Sequence, residues 1–397
     1  MTSKAWRLTM AAALAAGSMA IAACGDDDSS GDSTAGGGAG STGKVDLANC
    51  KFTFGVMAPI TGDAASIGQE QLNWAKYALT TFNQENGTKF VLEEGDTQLD
   101  PGQASTVAQQ LVSSNDVKAI VGPAGSQEVE AVGPVFDRAQ FTYVSPSATA
   151  TALSGGKYKG FARVVPSDAV QGPTDADYLA DTLSAKKVLI IDDQTSYSTG
   201  LADEVEKGLK AKGVPVSRES VRRSQTDFSA VISSKVSDDT DYVFLPWQIA
   251  ANAQQFGEQL KEQNKSAKIF GSDGLYSPDD FKVNGSLVSA FAPDITSIAS
   301  SKTVADGYKA KYGSFGTFGP PVYVASQVVM TAAKNACEGG NDDPSRGDIA
   351  GEVKKVSIPD SILGQPISFE ANGDVKDAKF FIFTVKNGKF AAAEDQS

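Results

Sequence analysis

Between Ala119 and Thr151 two apolar runs, Ala119 to Val121 and Phe141 to Val144, end abruptly in small hydroxyl, Gly and Pro residues. The first run breaks into Gly-Pro-Ala-Gly-Ser and the second into Ser-Pro-Ser-Ala-Thr. Neighbouring parallel strands of an α/β sheet read this way when a ligand sits off their carboxyl ends.

The flanking sequence carries the same rhythm. Strand-like runs at Phe52 to Ala58, Lys89 to Glu93, Lys118 to Val121 and Gln140 to Val144 alternate with helical patterns at Ile67 to Asn86, Pro101 to Val112 and Gly125 to Arg138. In the first helix Leu72, Ala75, Leu79 and Phe82 recur at three and four, and Gly87 ends it. Phe161 to Asp168 reads as a crossing, because a second cycle follows it. Its strands are Lys187 to Ile191, Val214 to Arg218, Tyr242 to Leu245 and Lys268 to Phe270; its helices are roughly Val170 to Leu183, Thr199 to Lys212, Asp227 to Val236 and Ile249 to Gln263. With no hairpin signal in either cycle, the pattern predicts two α/β lobes with parallel-type sheets. Beyond Gly271 the pattern weakens to helices at Ser300 to Tyr312 and Val322 to Ala336 and a β-like end through Phe380 to Val385. A length of 397 residues fits two domains.

The side-chain inventory excludes most chemistry. Histidine is absent, which removes the usual general base and the commonest metal ligand, so a Ser-His-Asp or Cys-His site is ruled out. No metal site, cofactor or enzymatic activity is expected. A net charge of −13 without a basic cluster argues against nucleic-acid binding.

Residues 1–23 read as a lipoprotein signal peptide: Lys4 and Arg7, an apolar run from Leu8 to Ala20, then a lipobox-like Ile21-Ala22-Ala23-Cys24 with Cys24 as the lipidation site. The alternative is a plain secretory signal with Cys24 incidental. Two acyl chains hold a protein on a membrane where one is marginal, so the expected location is the outer face of the cytoplasmic membrane. Residues 24–43 contain no large apolar side chain and read as a tether of roughly 25 Å mean span. Gly38, Gly40 and Gly43 match G-x-G-x-x-G inside that tether, without the strand and helix such a motif needs. Outside the cytoplasm Cys50 and Cys337 are expected to form a disulfide, the alternative being two free thiols.

From Lys51 to about Phe390 the chain resembles the branched-chain amino-acid type periplasmic binding proteins, the solute-binding lipoproteins of ABC importers. The likeness rests on Pro59-Ile-Thr-Gly62 with Gly68, Asn83 near Gly87, Asp96 through Asp100-Pro101, Val121-Gly-Pro123 with Ser126, and Ser145-Pro-Ser-Ala-Thr149. It continues through Asp227-Phe-Ser229, Gly271-Ser-Asp-Gly274 and Phe369 with Asn372-Gly-Asp374. The resemblance implies the type I fold, two Rossmann-like lobes joined by three crossovers and closing on a small ligand. Residues 44–165 with about 286–340 would form the first lobe, and 166–285 with about 341–397 the second. The implied partners are a small-molecule ligand and ABC permease subunits, with the receptor a monomer.

By position, Ser126 and Thr149 would hold an α-carboxylate with hydroxyls and backbone amides, and the Ala148 carbonyl would face the ammonium. Amides at a helix start carry partial positive charge, so an anion site there needs no lysine. Read from residue type alone, Ser126 is equally a helix N-cap and Thr149 a turn residue. Tyr197 and Trp247 are expected as cleft walls, or else as an exposed tyrosine and a packed indole; Tyr276, Phe318 and Tyr323 read more as packing. Family members place an acidic ammonium partner early in the helix after Tyr242 to Leu245. By spacing back from Gly271 that position is Asn252, and Trp247 to Phe256 holds no carboxylate. Asp273 is then the first substitute, though it is also a plain turn residue in Ser-Asp-Gly. Failing it, the ligand would be an amide, urea or aromatic carboxylate, or the chain a sensor for a signalling partner.

Overall fold

The computed structural model describes residues 46–393. The signal peptide, Cys24 and the 24–43 tether lie outside the described residues. In the first lobe, β1 (Thr53–Ala58), β2 (Val91–Asp96), β3 (Val117–Val121), β4 (Thr142–Ser145) and β5 (Phe161–Arg163) form a sheet in the order β2-β1-β3-β4-β5. Every pairing in it is parallel. β3 and β4 are direct neighbours, with Ala119 opposite Thr142 and Val121 opposite Val144. The two broken runs of the sequence therefore end side by side.

The helices between these strands start and stop where local chemistry dictates. α1 (Ala65–Asn86) buries Leu72, Ala75, Ala78 and Phe82 along one stripe and ends at Gly87, which adopts a left-handed φ of 68°. α2 (Pro101–Ser113) has Pro101 in its first turn and Asp100 accepting from Gln103 N–H at 2.8 Å. α3 (Ser126–Arg138) starts without a side-chain N-cap, and the Glu128 carboxylate accepts from Gly125 N–H at 2.6 Å instead.

The second lobe holds α4 (Asp168–Asp177), β6 (Val188–Asp192), α5 (Ser196–Ala211), β7 (Val216–Ser220), α6 (Ser229–Lys235), β8 (Tyr242–Leu245), α7 (Ala250–Glu262), β9 (Lys268–Gly271) and β10 (Leu287–Ala290). α8 (Lys302–Tyr312), α9 (Gly319–Glu338) and α10 (Arg346–Val353) follow, then β11 (Phe381–Lys386) and β12 (Lys389–Ala392). The second sheet runs β12-β11-β10-β9-β8-β6-β7, parallel up to β10 and antiparallel across β10-β11-β12. The chain thus crosses between sheets three times, at 164–167, 291–294 and 376–380.

Three expectations need correction. Phe161 to Arg163 is a fifth strand of the first sheet before the crossing begins, because Phe161, Ala162 and Arg163 pair with Tyr143, Val144 and Ser145. Residues 287–290 belong to the second sheet and not the first lobe, since β10 pairs with β9 and β11. Residues 341–380, assigned to the second lobe from sequence, pack instead on the first. There Ile349, Val353, Leu363, Ile367 and Phe369 join the core beneath α1 and α9. Arg346 fixes α10 in place: its guanidinium lies 4.0 Å from the Phe141 ring centre and donates to the carbonyls of Val117 (3.0 Å) and Ser114 (2.7 Å).

Cys50 and Cys337 are joined as a disulfide that ties the entry to β1 to the end of α9. The bond closes a loop with a sequence separation of 287 residues, and long loops lose the most unfolded-state entropy on cross-linking. Cys50→Ser is expected to cost about 2–5 kcal/mol and lower the melting temperature by about 3–6 °C. Differential scanning calorimetry without reductant checks this; an unchanged transition would refute a stabilising bridge.

Candidate functional site

Small hydroxyls stitch the loops after β3 and β4 into one surface. Ser145 Oγ donates to the Pro123 carbonyl (2.6 Å) and accepts from Ala148 N–H (2.9 Å). Ser147 Oγ donates to the Ala124 carbonyl (2.9 Å) and accepts from Gln71 (2.9 Å). Ser126 Oγ accepts from Ala150 N–H at 3.1 Å. Ser126 is therefore the first residue of α3 and not its N-cap, which is Gly125. Its own amide belongs to the first helical turn, where no intrahelical acceptor exists.

Arg163, at the end of β5, supports this surface from behind. Fully buried, its guanidinium donates to Asp374 Oδ1 (2.6 Å), to the carbonyls of Ala148 (3.3 Å) and Ala150 (2.9 Å), and to Ser154 Oγ (2.8 Å). The Ala148 carbonyl thus already has one donor. Asp374 reaches Arg163 because Gly373 turns with φ 92° and accepts from Arg163 N–H at 3.0 Å; a Cβ there would lie 2.3 Å from the Phe161 carbonyl oxygen.

The second lobe brings carboxylates to the same place. Asp168 opens α4 directly after the first crossing, and its N–H donates to the Thr149 carbonyl at 2.8 Å. Asp273 follows β9, buried, and accepts from Tyr197 Oη at 2.6 Å; that hydroxyl is also 2.8 Å from Ser272 Oγ. Thr149 Oγ1 and both Asp168 carboxylate oxygens are buried and complete no well-formed hydrogen bond, the Thr149 hydroxyl lying near enough only to favour the ionised carboxylate. Gln171 and Asp175, one and two turns further along α4, join through Ser289 Oγ at 2.9 and 3.0 Å, each leaving one oxygen unpartnered.

The electrostatics follow from burial. Desolvation, reinforced by the charge on Asp273, pushes the Asp168 carboxyl up to about 8 against the opposing pull of Thr149 and Arg163. Asp273 is pushed by burial to about 6, moderated by the Tyr197 hydroxyl and Gln171. Burial, with Asp273 and Asp168 beside it, likewise raises Asp175 when Ser289 is set against them. Arg163 is the cation that acts on Asp168, and its hydrogen bonds go elsewhere. The arrangement is a buried acidic cluster beside the hydroxyls and backbone of the loops after β3 and β4.

The structure brings Ser126, Ala148, Thr149, Tyr197 and Asp273 together around Asp168. It does not bring Trp247 or Asn252 there. The Trp247 indole donates to the Ile191 carbonyl (2.7 Å) and packs on Phe228 and Phe256 in the second-lobe core, so its ring is not beside the carboxylates. Asn252 donates to the Arg223 carbonyl (2.9 Å) and lines a crevice with Arg223 and Asp193. Counting back from Gly271 pointed along α7, whereas the end of β9 delivers Asp273 itself. Gly274 permits this, since a Cβ there would lie 2.2 Å from the Trp247 carbonyl oxygen. Tyr276 packs on Phe383 and Phe390, Phe318 on Phe291, and Tyr323 on Trp74.

Two lobes built on largely parallel sheets, joined by three crossings beside a buried polar cluster, have the architecture of a ligand-binding receptor. The chain belongs to the periplasmic binding protein family, whose model matches residues 51–389. A Leu/Ile/Val-binding protein from Rhizobium johnstonii is 27% identical over 88% of this chain and 95% of its own length. A Leu/Ile/Val/Thr-binding protein from Salmonella typhimurium is 25% identical over 83% and 89%. The branched-chain amino-acid substrate-binding protein of Streptococcus pneumoniae, solved with isoleucine, superimposes with a TM-score of 0.78 at 25% identity, over 87% of this chain and 99% of that one. A solute-binding protein from Rhodopseudomonas palustris, solved with 3,4-dihydroxybenzoic acid, shares the fold at a TM-score of 0.74 and 20% identity, over 86% and 95%. These relatives are named for the solutes they bind and not for a reaction.

An aspartate whose folded pKa exceeds its unfolded one makes folding less favourable as pH rises between the two values. Asp168→Asn is therefore expected to raise the melting temperature of the ligand-free protein by about 3–6 °C at pH 8, and by clearly less at pH 5. Thermal melts across that range check it; equal or no stabilisation at both pH values would show that Asp168 is not held ionised at a cost.

Proposed function

We propose that this protein captures an α-amino acid of the branched-chain type outside the cytoplasm and delivers it to an ABC import permease. One observation carries the reading: buried carboxylate and hydroxyl oxygens of Asp168 and Thr149 that complete no well-formed hydrogen bond, with Asp273 beside them, adjoin the hydroxyls and backbone of the loops after β3 and β4. A zwitterion satisfies both sides. Its carboxylate is received by Ser126 and the amides around Ser126 and Thr149, and its ammonium by Thr149, Asp168 and Asp273. Tyr197 orients Asp273. The amide, urea or aromatic-carboxylate alternative was motivated by Asn252, and with Asp273 in the pocket it loses that motive. Function lies in ligand contacts from both lobes stabilising one arrangement of the hinge. Lipid anchoring through Cys24 and action as a monomer belong to the same reading, and the names of the relatives support the solute class.

Leucine, isoleucine or valine at about a hundred times its dissociation constant should add roughly 2.7 kcal/mol, a rise of about 4 °C in melting temperature. The deaminated analogue 4-methylpentanoate and uncharged amides should give no shift. Because an ammonium favours ionised Asp168 and Asp273, affinity should fall as pH drops from about 8 towards 6. Asp273→Asn should weaken leucine binding by about a hundredfold or more by calorimetry. Stabilisation by amides or aromatic acids in place of amino acids would overturn the assignment.

A further inference from the structure

Beside the pocket the two lobes meet along a second line of contacts that touches none of the proposed ligand groups. Arg223, just beyond β7 in the second lobe, donates through Nη1 to the Leu99 carbonyl of the first lobe at 3.1 Å. Gln127, next to Ser126, donates to Gln248 Oε1 across the lobes at 2.8 Å, both side chains being buried. Ala64 and Leu99 from the first lobe close on Ile249 from the second as a small, separate apolar cluster.

Leu99 is held for this contact in a costly conformation. Gln98 and Leu99 have φ values of 53° and 57°, in a region that non-glycine residues seldom occupy in succession. Asp96 fixes the turn, accepting from Thr61 N–H (3.1 Å), Thr61 Oγ1 (2.5 Å) and Gln98 N–H (3.2 Å). Backbone strain that survives in one loop points to a use for what the loop presents. Here it presents a carbonyl to Arg223 and an apolar side chain to Ile249. The guanidinium is also drawn by carboxylates on both sides: Glu128 at the start of α3, with Asp100 nearby, in the first lobe and Asp193 in the second.

We propose that this seam is a closure latch in which Arg223 acts as a positioning residue, setting the population of the closed receptor, and so its affinity, from outside the ligand pocket. The inference rests on the reading of the chain as an amino-acid receptor. A contact made only when the lobes meet stabilises the closed state alone, and its loss lowers apparent affinity by the fraction of closed receptor lost. The seam adjoins both halves of the pocket: Gln127 follows Ser126, and Gln248 packs on Gly274 beside Asp273. Closing the seam therefore brings the two halves into register.

The test is stopped-flow binding of leucine, isoleucine and valine to the soluble body and its Arg223→Gln variant, with small-angle scattering of both at saturating leucine and without it. Arg223→Gln should release leucine about tenfold faster, with association within about threefold of wild type. Its preference among the three amino acids should be unchanged, since Arg223 does not touch them. Scattering should show a larger mean radius for the variant without ligand and equal radii at saturation, and Arg223→Lys should restore part of the lost residence time. If Arg223→Gln does not fold, Gln248→Ala reports on the same seam with the same readouts. Unchanged dissociation in a variant that folds overturns the latch. Wild-type protein that binds none of the three amino acids overturns the receptor reading itself, a result distinct from the first.

Discussion

The interior of the cleft is governed by the cost of burying carboxylates without a counter-ion. Asp168 and Asp273 sit where water does not reach, and their acidities are displaced upwards accordingly. Isolated buried charge costs several kcal/mol, so the surrounding fold has to be stable for other reasons. The first lobe supplies them in a sheet that is parallel throughout, a packed α1–α9 pair and a covalent clasp. A pocket unsatisfied by itself and satisfied by a cation is poor for stability and good for selective binding.

Arg163 shows how the same chemistry is kept out of the way where it is structural. It is as deeply buried as Asp168, yet each of its three guanidinium nitrogens has an acceptor, and one of them, Asp374, comes from just before the third crossing. That single side chain holds together the β4 loop and the returning chain. The loop carrying Ala148, Thr149 and Ala150 is thus tied down by a side chain that stands behind it.

Much of this was legible in the sequence because strand ends are legible. Ser126, Thr149 and Asp273 each come within five residues of the end of an apolar run, and in a parallel sheet that places them at the carboxyl edge of the strands. Tyr197 falls one residue into the helix after β6, close enough for the same logic. Asp168 escaped it because it follows a crossing, where no periodicity says which way a side chain faces. Arg163 was hidden inside Phe161 to Asp168, which reads as a crossing and whose first three residues instead form β5. Asn252 was chosen by counting along a helix, which ignores the direction in which a neighbouring strand delivers its own last residues. Trp247 illustrates the remaining ambiguity: an aromatic residue at a strand end suits a cleft or a core equally, and here the carbonyl of Ile191 claimed its indole for the core. The assignment of 341–380 failed because α10 is anchored by Arg346 to backbone carbonyls far away in sequence, a contact that leaves no pattern.

The bond between Cys50 and Cys337 has a topological consequence. The chain leaves the first lobe at 164–167 and returns at 291–294, so everything between hangs from a covalently closed ring. A single proteolytic cut anywhere in residues 168–290 leaves both fragments attached, one through each cysteine. A nick in the second lobe is then damage that the molecule can survive in one piece.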